Sequence, residues 1–122
     1  MKILLVEDNL LNQKVVIYNL KKLNYDIVAV NNGYDAIEKI KDNSFDLVLM
    51  DIVLPGINGF EITAEIRKFE KENARNNPVS IVALTANTLN NDREKCINAG
   101  MNDYLPKPFT AVELINMIKK FM

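Results

Sequence analysis

The feature that most constrains this chain is the alternation of short apolar runs with longer amphipathic segments. The apolar runs lie at residues 2–6, 26–30, 47–50, 79–84 and 103–105. Each has the length of a buried strand, and a segment with helical periodicity follows it. Parallel strands need crossover helices, and burial on both faces makes such strands apolar throughout. The alternation therefore predicts an α/β domain with a doubly wound, mostly parallel sheet of five strands.

Apolar residues at helical spacing define the inward faces of the predicted helices. These residues are Val15, Val16, Leu20 and Leu23 in a helix at about 10–23, then Ala36, Ile37 and Ile40, then Ile62, Ile66 and Phe69, and finally Ala111, Ile115, Ile118 and Met122. Residues 87–98 have only a thin apolar face, which indicates a weakly anchored helix. The polar stretch at residues 68–77 is interpreted as a solvated helix end followed by a loop.

Composition limits the classes of function. The 122 residues are 48% hydrophobic and 25% charged, which fits one domain over residues 1–122. A net charge of -1 gives no electrostatic support to direct contact with nucleic acid. The chain has no histidine, so it cannot use histidine catalysis or carry a phosphohistidine itself. Its single cysteine, Cys96, excludes an internal disulfide and a cysteine-based zinc site.

The sequence also predicts where the chain resides. No apolar run approaches the ~20 residues that cross a bilayer. No signal peptide precedes the first strand, because the run KILLV ends at Glu7. A lone cysteine suits a reducing compartment. We therefore expect a cytoplasmic domain that makes no membrane contact.

Polar residues at the ends of the strands carry the functional prediction. The first strand ends at Glu7 and Asp8, the third at Asp51, the fourth at Thr85 and the fifth near Lys107. Parallel strands bring their carboxyl ends to one edge of the sheet, where such folds bind their ligands. Three clustered carboxylates repel one another, and a hard cation with oxygen ligands such as Mg²⁺ relieves that repulsion. The pattern predicts a Mg²⁺-assisted phosphorylation of Asp51, with the Thr85 hydroxyl and the Lys107 ammonium around the phosphoryl oxygens.

Four motifs carry a resemblance to a known family. They are VEDN at 6–9, LMDIVLPGINGFE at 49–61, ALTAN at 83–87 and DYLPKPF at 103–109. In this order they resemble the receiver domains of bacterial two-component response regulators, over the full length of the chain. The amino-acid sequences of these motifs are most similar to those of receivers in hybrid sensor histidine kinases, although free-standing receivers can have the same motifs. The resemblance implies a flavodoxin-like fold of five βα units with strand order 2-1-3-4-5.

The resemblance also implies a role for each site residue. Asp51 would accept a phosphoryl group from a histidine kinase or a histidine phosphotransfer protein. Asp8, Asp51 and the backbone carbonyl of Val53 would bind Mg²⁺, and Glu7 would act directly or through water. Lys107 would neutralise the phosphoryl group, and the Lys107–Pro108 bond would be cis.

The same family pattern implies a conformational switch. Thr85 would bond the phosphoryl group, and Tyr104 would turn inward on activation. The surface of residues 87–122 would then meet a downstream partner. The domain would catalyse only its own phosphorylation and dephosphorylation, whereas a longer parent chain could be a hybrid histidine kinase, tethered to a membrane.

Each of these residues alone has an ordinary structural explanation, but the whole set would need several such coincidences at one edge of the sheet. Glu7 and Asp8 could be a helix-entry pair, Thr85 a helix N-cap and Lys107 a solvated surface charge. Two other functions compete with the receiver. An aspartyl-phosphate hydrolase would need an acid two residues after its nucleophile, where this chain has Val53. A receiver-like docking module that is never phosphorylated would be expected to have lost Asp51, Lys107 or the acidic pair.

Overall fold

The computed structural model describes residues 1–75, 77–85 and 92–122. These residues form five strands, β1 (Lys2–Val6), β2 (Asp26–Val30), β3 (Leu47–Asp51), β4 (Ser80–Thr85) and β5 (Asp103–Pro106). The helices among them are α1 (Leu10–Lys21), α2 (Gly33–Asp42), α3 (Gly59–Glu72), α4 (Asp92–Asn98) and α5 (Ala111–Lys119). Residues 87–91 of the helix predicted at 87–98 lie outside the described residues.

All strand pairs are parallel, and the sheet order is β2-β1-β3-β4-β5. Both the predicted fold class and the predicted strand order are confirmed. Among the described residues, no helix is long and apolar enough to cross a membrane.

The core lies on both faces of the sheet, because alternate strand residues point to opposite sides. Leu4, Val6, Val48 and Met50 pack toward α2, α3 and α4. Ile3, Leu5, Leu47 and Leu49 pack toward α1 and α5. The central strands β1, β3 and β4 are almost completely buried, which explains their unbroken apolar sequence.

Two predicted helix faces are wrong in part. In α1, Val16 and Leu20 are buried but Val15 is exposed; Leu23 is also exposed and lies past the end of the helix. In α5 the buried residues are Leu114, Met117 and Ile118, whereas Ala111 is exposed and Ile115 is half-buried. Met122 is exposed and lies past the end of the helix. The sequence AVELINMIK is apolar on most sides of the helix, so spacing alone does not define the direction of the core.

The interpretation of residues 68–77 as fully solvated is also wrong, because Glu70 is buried. Its Oε2 accepts a hydrogen bond of 2.6 Å from the Val79 backbone, and its Oε1 accepts one of 2.7 Å from Arg67. Arg67 also donates to the carbonyls of Gly100 and Val79 and to Oδ1 of Asn102. We call Arg67, Glu70 and Asn102 the Arg67 cluster; it ties α3 to the segments that lead into β4 and β5.

Candidate functional site

The carboxyl edge of the sheet brings together the polar residues that the sequence analysis named. Glu7 and Asp8 follow β1 directly, Asp51 ends β3 and Thr85 ends β4. The strand register pairs Asp51 with Leu84 and Thr85 with Pro106, so Lys107 lies one residue past a strand end. Residues far apart in sequence therefore meet at one edge.

Three carboxylates and one ammonium form the centre of the site. One carboxylate oxygen from each of Glu7, Asp8 and Asp51 lies within 4.8 Å of the others. Glu7 and Asp51 are buried, whereas Asp8 is exposed. Nζ of Lys107 lies 3.3 Å from Oε1 of Glu7 and 3.2 Å from Oδ2 of Asp51. One positive charge is thus shared between the two buried acids.

This shared charge leaves the site short of positive charge. Burial raises the pKa of Asp51 to about 7, the neighbouring Glu7 carboxyl adds to the rise, and Lys107 opposes it. Burial alone would raise the pKa of Glu7 as well, but hydrogen bonds with Asp51 and Asn12 and the charge of Lys107 lower it overall. Asp51 therefore gains or loses its proton close to neutral pH.

The arrangement fits a small divalent cation. Oε2 of Glu7 is buried and has no hydrogen-bond partner among the described residues. A cation would relieve the repulsion among the carboxylates and would satisfy this oxygen. Carboxylate oxygens with room for water are the ligands that Mg²⁺ prefers in proteins.

The loop after Asp51 is held close to the site. The backbone N–H of Val53 donates to Oδ1 of Asp51 at 3.2 Å, while the Val53 side chain is 76% exposed. The loop closes where Gly59 donates to the carbonyl of Ile52 at 3.0 Å. A Cβ on Gly59 would lie 2.8 Å from the carbonyl oxygen of Asp51, so a side chain there would displace the backbone of the phosphoacceptor candidate.

Thr85 lies on β4, the strand beside β3, and Tyr104 lies on β5, the next strand out. Thr85 is 5% exposed, and its carbonyl accepts a hydrogen bond of 2.6 Å from the backbone of Lys107. Tyr104 is half-buried and packs against the core on the α2–α4 side of the sheet. The Lys107–Pro108 peptide bond is cis, the isomer that the resemblance implies.

Two residues at the site were not named by the sequence analysis. Asn12 donates from its side-chain amide to Oε1 of Glu7 at 2.7 Å. Gln13 donates to the backbone carbonyls of Glu7 at 2.6 Å and Val30 at 3.0 Å. Their position in the first turn after the acidic pair is the one signal that the sequence offers, since polar residues are common in the first turn of a helix.

The comparisons with known proteins agree with this geometry. The family model described as the response regulator receiver domain matches residues 3–119. Hybrid signal transduction histidine kinase B from Dictyostelium discoideum is 46% identical over 99% of this chain, and the match spans 7% of that kinase. The chain therefore corresponds to a small part of this longer relative.

Two solved structures are similar along nearly the whole chain. The receiver domain of a Pseudomonas aeruginosa sensor histidine kinase, with magnesium coordinated in its active-site cleft, is 43% identical with a TM-score of 0.84; the match covers 98% of this chain and 95% of that one. The receiver domain of Saccharomyces cerevisiae Ssk1, crystallised with the histidine phosphotransfer protein Ypd1, is 35% identical with a TM-score of 0.94; here 99% and 88% are covered. With a family model that spans residues 3–119, this chain belongs to the response regulator receiver domain family.

Proposed function

We propose that residues 1–122 form one receiver domain that accepts a phosphoryl group on Asp51 in a Mg²⁺-dependent reaction. The observation that carries the proposal is the meeting of Glu7, Asp8 and Asp51 within 4.8 Å, with Lys107 in contact with two of them. A buried carboxylate beside a cation site and an ammonium is equipped to attack phosphorus and to hold the product.

The donor in this reaction is the phosphohistidine of a histidine kinase or a phosphotransfer protein. An Asp51 oxygen forms a bond to phosphorus while the bond from phosphorus to the imidazole nitrogen breaks, and the imidazole leaves with the electron pair. The Ssk1 receiver, whose crystal structure contains a histidine phosphotransfer protein, supports this class of partner. The reaction suits a cytoplasmic domain, either free or tethered to a membrane sensor kinase in a longer chain.

The metal would be held by Asp8, Asp51 and the backbone carbonyl of Val53, with Glu7 as a direct or water-mediated ligand. When bound, Mg²⁺ supplies positive charge to the phosphoryl oxygens. Its presence in the similar Pseudomonas receiver supports this assignment. Lys107, already 3.2 Å from Oδ2 of Asp51, would pair with another phosphoryl oxygen.

The output of the domain would be a change in shape. A phosphoryl group on Asp51 carries about -1.5 to -2 charge where the carboxylate carried -1, and its oxygens can accept a hydrogen bond from the Thr85 hydroxyl. Movement of Thr85 would open space for Tyr104 on the next strand, and the surface of residues 87–122 would change for a downstream partner. Residues 87–91 of that surface lie outside the described residues.

Phosphorylation with a small donor tests the proposal directly. The protein is incubated with acetyl phosphate, with and without Mg²⁺, and its intact mass is measured. We expect one added phosphoryl group that requires Mg²⁺ and is lost in Asp51→Asn. Phosphorylation of Asp51→Asn to the same extent and stability would contradict the assignment of the acceptor.

A further inference from the structure

The two oxygens of the Glu7 carboxylate have different surroundings. Oε1 accepts a hydrogen bond of 2.7 Å from the side chain of Asn12 and lies 3.3 Å from Nζ of Lys107. Oε2 is buried and lacks a donor among the described residues. The hydrogen-bonding capacity of Oε1 is therefore used by Asn12 and Lys107, whereas Oε2 remains able to bind a cation.

We propose that Asn12 is a positioning residue for the metal site, which holds Oε1 of Glu7 so that Oε2 faces the bound cation. This inference rests on the proposed Mg²⁺-dependent function. Groups that orient the ligands of a metal typically change its affinity 10-fold to 100-fold when they are removed, although they do not touch the metal.

Asn12 is itself held in place by the start of α1. Its backbone N–H donates to Oδ1 of the N-cap residue Asn9 at 3.0 Å. The next residue, Gln13, holds the backbone carbonyl of Glu7 at 2.6 Å. Adjacent residues of one helical turn therefore hold the main chain and the side chain of Glu7.

Lys107 cannot replace Asn12 in this role, because Lys107 also contacts Asp51 at 3.2 Å. The proposed reaction draws the Lys107 ammonium toward a phosphoryl oxygen and away from Glu7. Asn12 would then be the donor that stays on Oε1, so the orientation of Glu7 would be the same before and after phosphoryl transfer.

The experiment measures the affinity for Mg²⁺ alone, by isothermal titration calorimetry, in wild type, Asn12→Ala and Asn12→Leu. Alanine favours the helix, and leucine keeps roughly the size of the side chain. Both variants retain the backbone bond to Asn9, and melting curves in a chelator check the fold. Asn19→Ala, which removes an amide from a half-buried position further along α1, is the matched control.

We expect both Asn12 variants to bind Mg²⁺ about 10-fold more weakly, and Asn19→Ala to match wild type. In a Glu7→Gln background the further loss from Asn12→Ala should be much smaller, because the carboxylate that Asn12 orients is gone. A merely structural role would give the same loss in both backgrounds.

Three results would overturn the inference. Affinity equal to wild type in both Asn12 variants would show that Asn12 does not position Glu7. A loss of the same size in the Glu7→Gln background would show that Asn12 acts through another group. Failure of wild type to bind Mg²⁺ at Asp51, judged against Asp51→Asn, would remove the proposed function together with this inference.

Discussion

The surroundings of Asp51 disfavour the negative charge that the proposed phosphorylation requires. It is 7% exposed, lies beside Glu7 and shares one ammonium with it. These surroundings raise its pKa from 3.8 to about 7, so at neutral pH the unphosphorylated site is close to taking up a proton. The negative charge that the proposed reaction needs on Asp51 is thus costly to the fold, and a cation or a proton relieves that cost.

The raised pKa of Asp51 predicts that the stability of the fold depends on pH. Because the pKa of Asp51 is raised in the folded protein, the folded state binds a proton more tightly than the unfolded chain does. Its contribution favours the folded state below pH 4 and is lost as pH rises from about 4 through about 7. The lowered pKa of Glu7 acts below its usual value of 4.5, so it does not reverse the trend between pH 5 and 8.

We therefore expect Asp51→Asn, without Mg²⁺, to be more stable than wild type at pH 8 by on the order of 2 kcal/mol. The difference should shrink as the pH falls toward 4. Urea unfolding at a series of pH values measures it, with Asp46→Asn as an exposed control. Equal stability of Asp51→Asn and wild type at pH 8 would contradict the account of burial and repulsion.

At the scale of elements, α3 is linked to both β4 and β5 by the Arg67 cluster. The Arg67 guanidinium donates to four acceptors at 2.7–3.0 Å. Asn102 adds to the link, since its Oδ1 also accepts a hydrogen bond of 2.8 Å from the backbone of Ile81. Removal of Arg67 would leave the buried Glu70 carboxylate with one donor fewer.

We expect Arg67→Ala to lower the free energy of unfolding by about 3 kcal/mol, because it removes the cationic partner of the buried Glu70 carboxylate and three further hydrogen bonds. Lys68→Ala changes an exposed neighbour on the same helix and should cost much less. Urea unfolding of both variants tests this. A loss in Arg67→Ala no larger than that in Lys68→Ala would show that the cluster does not stabilise the fold.

Helix α1 has an unusually apolar exposed face. Leu11, Val15 and Tyr18 are 70%, 52% and 65% exposed, and they lie at i, i+4 and i+7. Exposed apolar rows of this kind are typical of surfaces that meet other proteins. The row begins close in sequence to the acidic pair, which suits docking of the phosphotransfer partner that we propose.

We expect Val15→Glu to slow phosphoryl transfer from a phosphotransfer protein at least tenfold while leaving phosphorylation by acetyl phosphate unchanged. Val112→Glu, at a similarly exposed apolar residue of α5, is the matched control. Transfer rates from a phosphorylated partner measure the effect. Equal slowing with both donors would place the defect in the chemistry of the site rather than in docking.

At the scale of the whole molecule, the sequence predicted the architecture and the polar strand-end residues that meet at one edge of the sheet, but not Asn12 and Gln13 beside them. Apolar runs predicted the strands, because strands covered on both faces have no polar positions; Asp51, at the end of such a run, was therefore conspicuous. The inward face of α5 could not be predicted, since Leu114 and Ile115 are equally apolar and only packing distinguishes them. Glu70 was missed because its burial depends on the backbone of Val79 and on Arg67.

The proposed switch would couple one residue, Thr85, to a change across several elements of the fold. We expect Thr85→Ala to accept a phosphoryl group but to transmit it poorly, because the hydroxyl supplies the difference in contacts between the two states. Amide chemical shifts with and without beryllofluoride, a mimic of the phosphoryl group, would measure the response at Tyr104 and along residues 92–109. Responses of equal size in wild type and Thr85→Ala would contradict the coupling but not the phosphorylation.

Helix α1 has a consequence for engineering the specificity of such domains. Asn12, Gln13 and Val16 face the site and the core, whereas Leu11 and Val15 face outward. The outward residues could be exchanged for those of another receiver without a change in the groups that hold Glu7. A change in the preferred phosphotransfer partner should therefore require substitutions only on the outward side of α1, as long as Asn12 and Gln13 in its first turn are kept.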